Sequence, residues 1–123
     1  MTAQALVIGR ELERLDGLWE DGLSESYTSY LEVAPLPSLA LAAALIEAGL
    51  RLQGLGGPAA PATALLMGDL CLARASRLLA DNAAQKLQVA FARAIEELSA
   101  AAASGGGGRP VRDLLVGAFE TGR

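Results

Sequence analysis

The chain has 123 residues, of which 52% are hydrophobic and 4% aromatic, and its formal net charge at pH 7 is −4. This length allows one domain with a modest core, and the high hydrophobic content excludes an intrinsically disordered protein. The 10 lysine and arginine residues are scattered along the chain and form no basic stripe, which argues against nucleic acid binding. We therefore expect a single helical domain over residues 1–123 and no nucleic acid partner.

The first predicted element is an amphipathic helix over about residues 2–22. Its apolar side chains recur at helical spacing, and they are Ile8, Leu12, Leu15 and Trp19. Residues 23–37 are predicted to form a connection, because Pro35 and Pro37 break helices. A short helical turn near residues 27–31 is compatible with this prediction.

Two long apolar helices follow. Ser38 is the predicted N-cap of a helix over residues 39–53, and this helix is apolar almost all round, so we expect it at the centre of the fold. Glycines from Gly54 onwards end it, and the next helix spans about residues 61–80. Because the remaining amphipathic helices hardly suffice to cover both, an apolar face is expected to remain for a partner.

The last third of the chain predicts two further helices. Asn82 and Gln85 are spaced like a capping pair at the start of the first of them. The apolar stripe of this helix consists of Leu87, Phe91, Ala94, Ile95 and Leu98. A flexible glycine-rich break at residues 104–109 precedes a last short helix that ends near Glu120. The sequence thus predicts an all-α fold of about five helices.

The sequence also predicts a cytoplasmic protein. Charged residues such as Arg10 and Glu11 come too early for a signal peptide. The longest apolar stretch, residues 39–50, contains Glu47 and is too short for a transmembrane segment. The single cysteine, Cys71, fits a reducing compartment.

No set of residues predicts catalysis, metal binding or cofactor binding by this chain. The absence of histidine and the single cysteine exclude a zinc site, and the aspartates form no close pair that would hold magnesium. Cys71 has no histidine to activate it and is expected in the core, as are Trp19, Phe91 and Phe119. Asp69 interrupts an apolar run. Because a buried carboxylate needs a partner, we expect an intersubunit or interhelix hydrogen bond there.

Residues 68–75, GDLCLARA, resemble the G-D-x-L-x-A-R-A helix of the trans-polyprenyl diphosphate synthases. The preceding helix, residues 42–53, is similar in position and apolar character to the family helix that leads to the first aspartate-rich motif. The resemblance covers roughly residues 39–98 and implies a truncated helical bundle of the isoprenoid-synthase type. The residues expected to serve an interface or a structural motif are Gly68, Asp69, Leu72, Arg74 and Arg77.

The chain departs from this family where the family performs its chemistry. Residues 53–57, QGLGG, stand in place of the DDxxD motif, which binds the substrate diphosphate through magnesium in the family. The Arg-Arg-Gly sequence that follows in active members is also missing, as is the second aspartate motif. The resemblance therefore implies a chain without catalytic residues, with magnesium expected only on a catalytic partner.

A chain of this kind is similar to the small, non-catalytic subunit (component I) of heteromeric bacterial polyprenyl diphosphate synthases of the hexaprenyl and heptaprenyl type. The resemblance implies a heterodimer with a large catalytic subunit. In it, the small subunit supports dimer formation and influences the product chain length for menaquinone side chains. The helices over residues 39–53 and 62–80 are expected to contact the large subunit.

Two alternatives remain open at this point. The first is a stand-alone homodimeric interaction protein that kept a prenyl-synthase fold and lost its chemistry. The second is a small helical enzyme, such as a mutase, in which Arg51, Arg74 and Arg77 would converge on a pocket. A stable homodimer with no synthase gene nearby favours the first alternative, and convergence of the three arginines favours the second.

Overall fold

The computed structural model describes Gly17 and residues 19–54, 61–103 and 110–122. Within these residues the chain forms five α-helices and no strand, which confirms the predicted all-α fold. A π-helical turn over Trp19–Leu23 leads into the first helix. The helices are α1 (Ser24–Leu31), α2 (Pro37–Leu52), α3 (Ala62–Asn82), α4 (Gln85–Ala103) and α5 (Val111–Thr121).

Two predicted segments lie outside the described residues. They are most of the N-terminal amphipathic helix, residues 2–22, and the glycine-rich break at residues 104–109. Across the part of the chain that the structure describes, no helix combines the length and the apolar character that crossing a bilayer requires.

Helix α2 forms the centre of the fold, as its apolar sequence predicts. Every residue from Leu39 to Leu50 is buried except the half-buried Leu41. Its many alanines have short side chains, so neighbouring segments can approach it on several sides. The predicted N-cap at Ser38 is wrong, because Leu36 holds that position and Pro37 occupies the first turn. The fixed φ of proline suits the first turn of a helix.

Helix α3 crosses α2 at a pair of glycines. A Cβ atom built on Gly68 would lie 2.9 Å from the carbonyl oxygen of Gly49, and one built on Gly49 would lie 3.0 Å from the carbonyl oxygen of Gly68. The two backbones therefore approach as closely as residues without side chains allow. Cys71 continues the inward face of α3 and has an exposed fraction of 0%, which confirms its predicted place in the core.

The segment predicted as a connection, residues 23–37, contains helix α1 over Ser24–Leu31. The prolines at 35 and 37 restrict the backbone next to them and leave the preceding residues free to form a helix. Two buried side chains, Ser26 and Tyr30, hold α1 on α2 through hydrogen bonds to Glu47. The prediction failed because the helix depends on these contacts and carries little hydrophobic periodicity of its own.

Helices α4 and α5 pack against each other, with Gly122 after α5 lying against Leu87 at the start of α4. Phe91 and Phe119 are buried as predicted and meet edge to face with ring centroids 5.0 Å apart. Trp19 does not belong to the core. It is 41% exposed, because the π-helical turn sets it beside the half-buried Tyr27 at the surface.

The predicted capping pair before α4 is also wrong. The side chain of Asn82 donates a hydrogen bond through Nδ2 to the carbonyl oxygen of Leu78 at 2.9 Å. Asn82 therefore forms a side-chain hydrogen bond within the last turn of α3. Its side chain is engaged at the end of one helix and not at the start of the next.

Candidate functional site

The two helices singled out by the family resemblance, α2 and α3, pack directly against each other. At the end of α2, Gln53 donates a hydrogen bond through Nε2 to Oδ1 of Asp69 on α3, at 2.6 Å. The predicted interhelix hydrogen bond of Asp69 is thus confirmed, but its expected burial is wrong, because Asp69 lies on the exposed side of α3. Gln53 is also the first residue of the segment that stands in place of the aspartate-rich motif.

The remaining residues of the predicted interface motif divide between two sides of α3. Gly68 is buried at the crossing, and the half-buried Leu72 lies close to Gly49. Arg74 and Arg77 are exposed, and Arg77 donates through Nε to Asp81 at 3.0 Å. The motif therefore does not converge on one site. Gly68 lies at the crossing of the two helices, and the charged side chains of the motif lie on the exposed side of α3.

A second polar feature joins α1, α2 and α5 at the edge of the core. Its centre is Glu47, which is buried although it lies in the most apolar helix. Arg112 from the first turn of α5 donates to both carboxylate oxygens, from Nε to Oε1 at 3.1 Å and from Nη2 to Oε2 at 3.0 Å. We call this feature the Glu47 cluster, and its members are Glu25, Ser26, Tyr30, Glu47 and Arg112.

The hydroxyl groups of α1 complete the surroundings of Glu47. Tyr30 donates to Oε1 at 3.2 Å, and Ser26 donates to Oε2. Arg112 also forms a bidentate ion pair with Glu25, donating from Nη1 to Oε1 at 2.9 Å and from Nη2 to Oε2 at 2.8 Å. One guanidinium group therefore connects the start of α5 to both α1 and α2.

The electrostatics of the Glu47 cluster favour its ionised form. Burial raises the pKa of Glu47, but hydrogen bonds from Arg112 and Ser26 outweigh burial, and the pKa lies below the ordinary value of 4.5. The hydrogen bonds from Arg112 also lower the pKa of Glu25. Burial raises the pKa of Tyr30, and the charge of Glu47 adds to this effect. At neutral pH the cluster thus holds two carboxylates, one guanidinium and a neutral phenol.

This arrangement is better suited to holding helices together than to transferring protons. A general base works best with a pKa near the operating pH and with access to the substrate proton. Glu47 has a lowered pKa, and the exposed fraction of its side chain is 11%. Both of its oxygens accept hydrogen bonds, including one from Arg51 at 3.3 Å. The geometry therefore supports a structural contact that holds α1 and α5 on α2.

Sequence reasoning missed the Glu47 cluster. The signal present in the sequence was a lone carboxylate in the apolar run of residues 39–50, since a buried carboxylate requires a cation or hydrogen-bond donors. Arg51 was the cation nearest along the helix. Arg112 is 65 positions away, and its approach depends on the path of the chain.

An open groove of about 780 Å³ lies between α4 and α5. Its lining combines apolar side chains with charges of both signs. Arg51, Arg74 and Arg77 do not line this groove, so the three arginines considered for the alternative of a small enzyme do not meet there. The apolar lining includes Val89, Ala90, Ala94, Leu114 and Ala118, and the charged lining is Lys86, Arg93, Glu97 and Glu120.

Within the described ranges, no group of three or more cysteine, aspartate and glutamate side chains is arranged to hold a metal ion. No protein-family model matches the chain, and no curated protein or solved structure is significantly similar to it. The basis for assigning a function is therefore the packing of α2 on α3 and the surface that α3 presents.

Proposed function

We propose that this chain is the non-catalytic small subunit of a heteromeric trans-polyprenyl diphosphate synthase. The observation that carries the proposal is the close packing of α2 on α3, with Gln53 hydrogen-bonded to Asp69. The first residue of the segment that replaces the aspartate-rich motif thus contacts the helix that resembles G-D-x-L-x-A-R-A. A neutral amide stands where the chemistry of the family calls for carboxylates.

In the proposed assembly the large subunit performs the chemistry. Its aspartates bind magnesium, which neutralises the diphosphate and promotes ionisation of the allylic substrate. The present chain contributes apolar helices that support the subunit interface and limit the space for the growing prenyl chain. The product is a long prenyl diphosphate for menaquinone side chains, made in the cytoplasm.

The surface proposed for the large subunit is the outer face of α3. Helix α2, which was also expected to contact the partner, is enclosed by its own chain from Leu39 to Leu50 and presents almost no exposed surface there. Helix α3, in contrast, exposes 41% of Leu65 and 54% of Leu66. Large apolar side chains that remain exposed next to each other are typical of a surface that a partner covers.

Co-expression with the DDxxD-bearing synthase of the same genome tests this proposal. We expect a tagged form of the chain to capture that synthase and to change the length distribution of its prenyl products. If the wild-type chain neither captures the synthase nor alters product length, the proposal is wrong.

A pair of matched variants tests the proposed surface. Leu66→Glu introduces a charge on the outer face of α3 and is expected to abolish capture. Val89→Glu on α4 is the control, since Val89 is also exposed, at 43%, and lies away from α3 in the groove beside α5. If Leu66→Glu captures the synthase as efficiently as Val89→Glu and the wild-type chain do, the outer face of α3 is excluded as the binding surface.

A further inference from the structure

We infer that α3 also pairs with α3 of a second copy of this chain, in an antiparallel orientation centred on Ala73. Among the described helices, α2 is the one against which α3 packs extensively. The opposite side of α3 is exposed over most of its 21 residues. This inference goes beyond the proposed function, because its partner is an identical chain and not a synthase subunit.

The exposed side of α3 carries a row of side chains at four-residue spacing. The row consists of Leu65, Asp69, Ala73, Arg77 and Asp81, and all five residues are exposed. Such rows form ridges on a helix surface, and packed helices contact each other through them. The small side chain of Ala73 at the middle of the row allows two such helices to approach closely.

The charges of this row are complementary to themselves. Asp69 stands four residues before Ala73 and Arg77 stands four residues after it. An antiparallel pair centred on Ala73 therefore brings Asp69 of one copy to Arg77 of the other, and two-fold symmetry creates this contact twice. Arg77 binds Asp81 of its own chain through Nε, and Asp69 accepts a hydrogen bond from Gln53 through Oδ1. A guanidinium group has five N–H donors and a carboxylate has two acceptor oxygens, so each group can form the additional contact.

The same register adds apolar contacts at both ends. Leu66 stands seven residues before Ala73 and Ala80 stands seven residues after it, and both are exposed. The complementary charges of Asp69 and Arg77 on either side of Ala73 identify a second copy as the occupant in preference to an unrelated helix. Because Leu66 also belongs to the surface proposed for the large subunit, self-pairing and binding of that subunit would exclude each other.

Analytical ultracentrifugation of the purified chain over a concentration series tests the inference. We expect a dimer that dissociates on dilution. Asp69→Arg and Arg77→Asp each create two like-charge contacts per dimer and are expected to raise the dissociation constant about tenfold. The exchange variant D69R/R77D restores opposite charges at both contacts and is expected to dimerise nearly as well as the wild type.

Ala73→Glu provides a second test at the symmetry axis. It places two carboxylates opposite each other and is expected to be monomeric, with thermal unfolding as the check that it remains folded. A wild-type chain that is monomeric at all concentrations, or an exchange variant no better than the single reversals, would overturn the inference. Capture of the synthase is measured separately, so failure of self-pairing and failure of the proposed function can be told apart.

Discussion

The carbonyl oxygen of Gly49 in α2 occupies space that a side chain at Gly68 of α3 would need. A Cβ atom on Gly68 would lie 2.9 Å from that oxygen and 2.6 Å from Cγ of Gln53. The two helices therefore meet backbone to backbone, and Gln53 comes within hydrogen-bond distance of Asp69. The contact that supports the proposed function thus depends on the absence of a side chain at this crossing.

Replacement of Gly68 by alanine is expected to lower the free energy of unfolding by about 1–3 kcal/mol, because the helices must separate to admit the methyl group. This effect opposes helix propensity, which favours alanine over glycine in a helix by about 1 kcal/mol. Gly117→Ala on α5 is the matched control, since a Cβ there would have no atom within 4 Å apart from its chain neighbours and the backbone of its own helix, and it is expected to stabilise the protein. Urea denaturation measures both variants, and an unchanged or raised stability of Gly68→Ala would contradict the prediction.

The Glu47 cluster predicts unequal effects at its two central residues. Arg112→Met is expected to destabilise the protein by about 3 kcal/mol, because it leaves the buried carboxylate of Glu47 without its main cation. Glu47→Gln is expected to cost less, because the amide removes the buried charge while its oxygen still accepts a hydrogen bond, and because the side chain of Arg112 is 35% exposed and retains its contact with Glu25.

The double variant E47Q/R112M completes this comparison. It removes both central charges together and is expected to recover a large part of the stability lost in Arg112→Met. Thermal denaturation of the four proteins forms a double-mutant cycle that gives the coupling between the residues. Equal losses in the two single variants, with simple addition in the double variant, would argue against a buried charge as the cause.

Acidification is expected to weaken the folded state through Glu47 and Glu25. Both carboxyl groups have pKa values below the ordinary 4.5 in the folded protein. Their contribution to stability is therefore complete above the unfolded-state pKa of 4.5 and is lost as the pH falls through the lower folded-state values.

Melting temperatures measured from neutral pH down to about pH 3 test this prediction. The variant Arg112→Met lacks the hydrogen bonds that lower both pKa values, so its stability is expected to fall less over the acidic part of the range. An equal or steeper decline in this variant would show that the acid sensitivity arises elsewhere.

Cys71 reports on the packing of α2 against α3. Its side chain is fully buried, and burial raises the pKa of its thiol. Alkylation by iodoacetamide at neutral pH is therefore expected to be slow in the native protein and fast in denaturant. Gly68→Ala should accelerate the native reaction, because it separates the helices that cover the thiol. Rapid alkylation of the native wild type, followed by mass spectrometry, would show that the helices do not shield Cys71.

The sequence by itself determined the all-α fold, the central place of α2 and the burial of Phe91, Phe119 and Cys71. These features follow from apolar side chains that recur at helical spacing, and such spacing is a local property of the chain. The same reasoning wrongly placed Trp19 in the core. Helical spacing identifies an apolar stripe, but it does not determine whether another segment covers the last residue of that stripe.

The tertiary structure alone decided that residues 24–31 form a helix and that the residues of the Glu47 cluster meet. Residues 24–31, SESYTSYL, carry few apolar side chains, and their helix is held by hydrogen bonds to Glu47. Glu25 and Arg112 are 87 positions apart, and no spacing rule connects residues at that separation. Local patterns identify the strongly periodic helices, whereas the helical state of α1 and the pairing of distant charges are set by how the chain brings α1, α2 and α5 together.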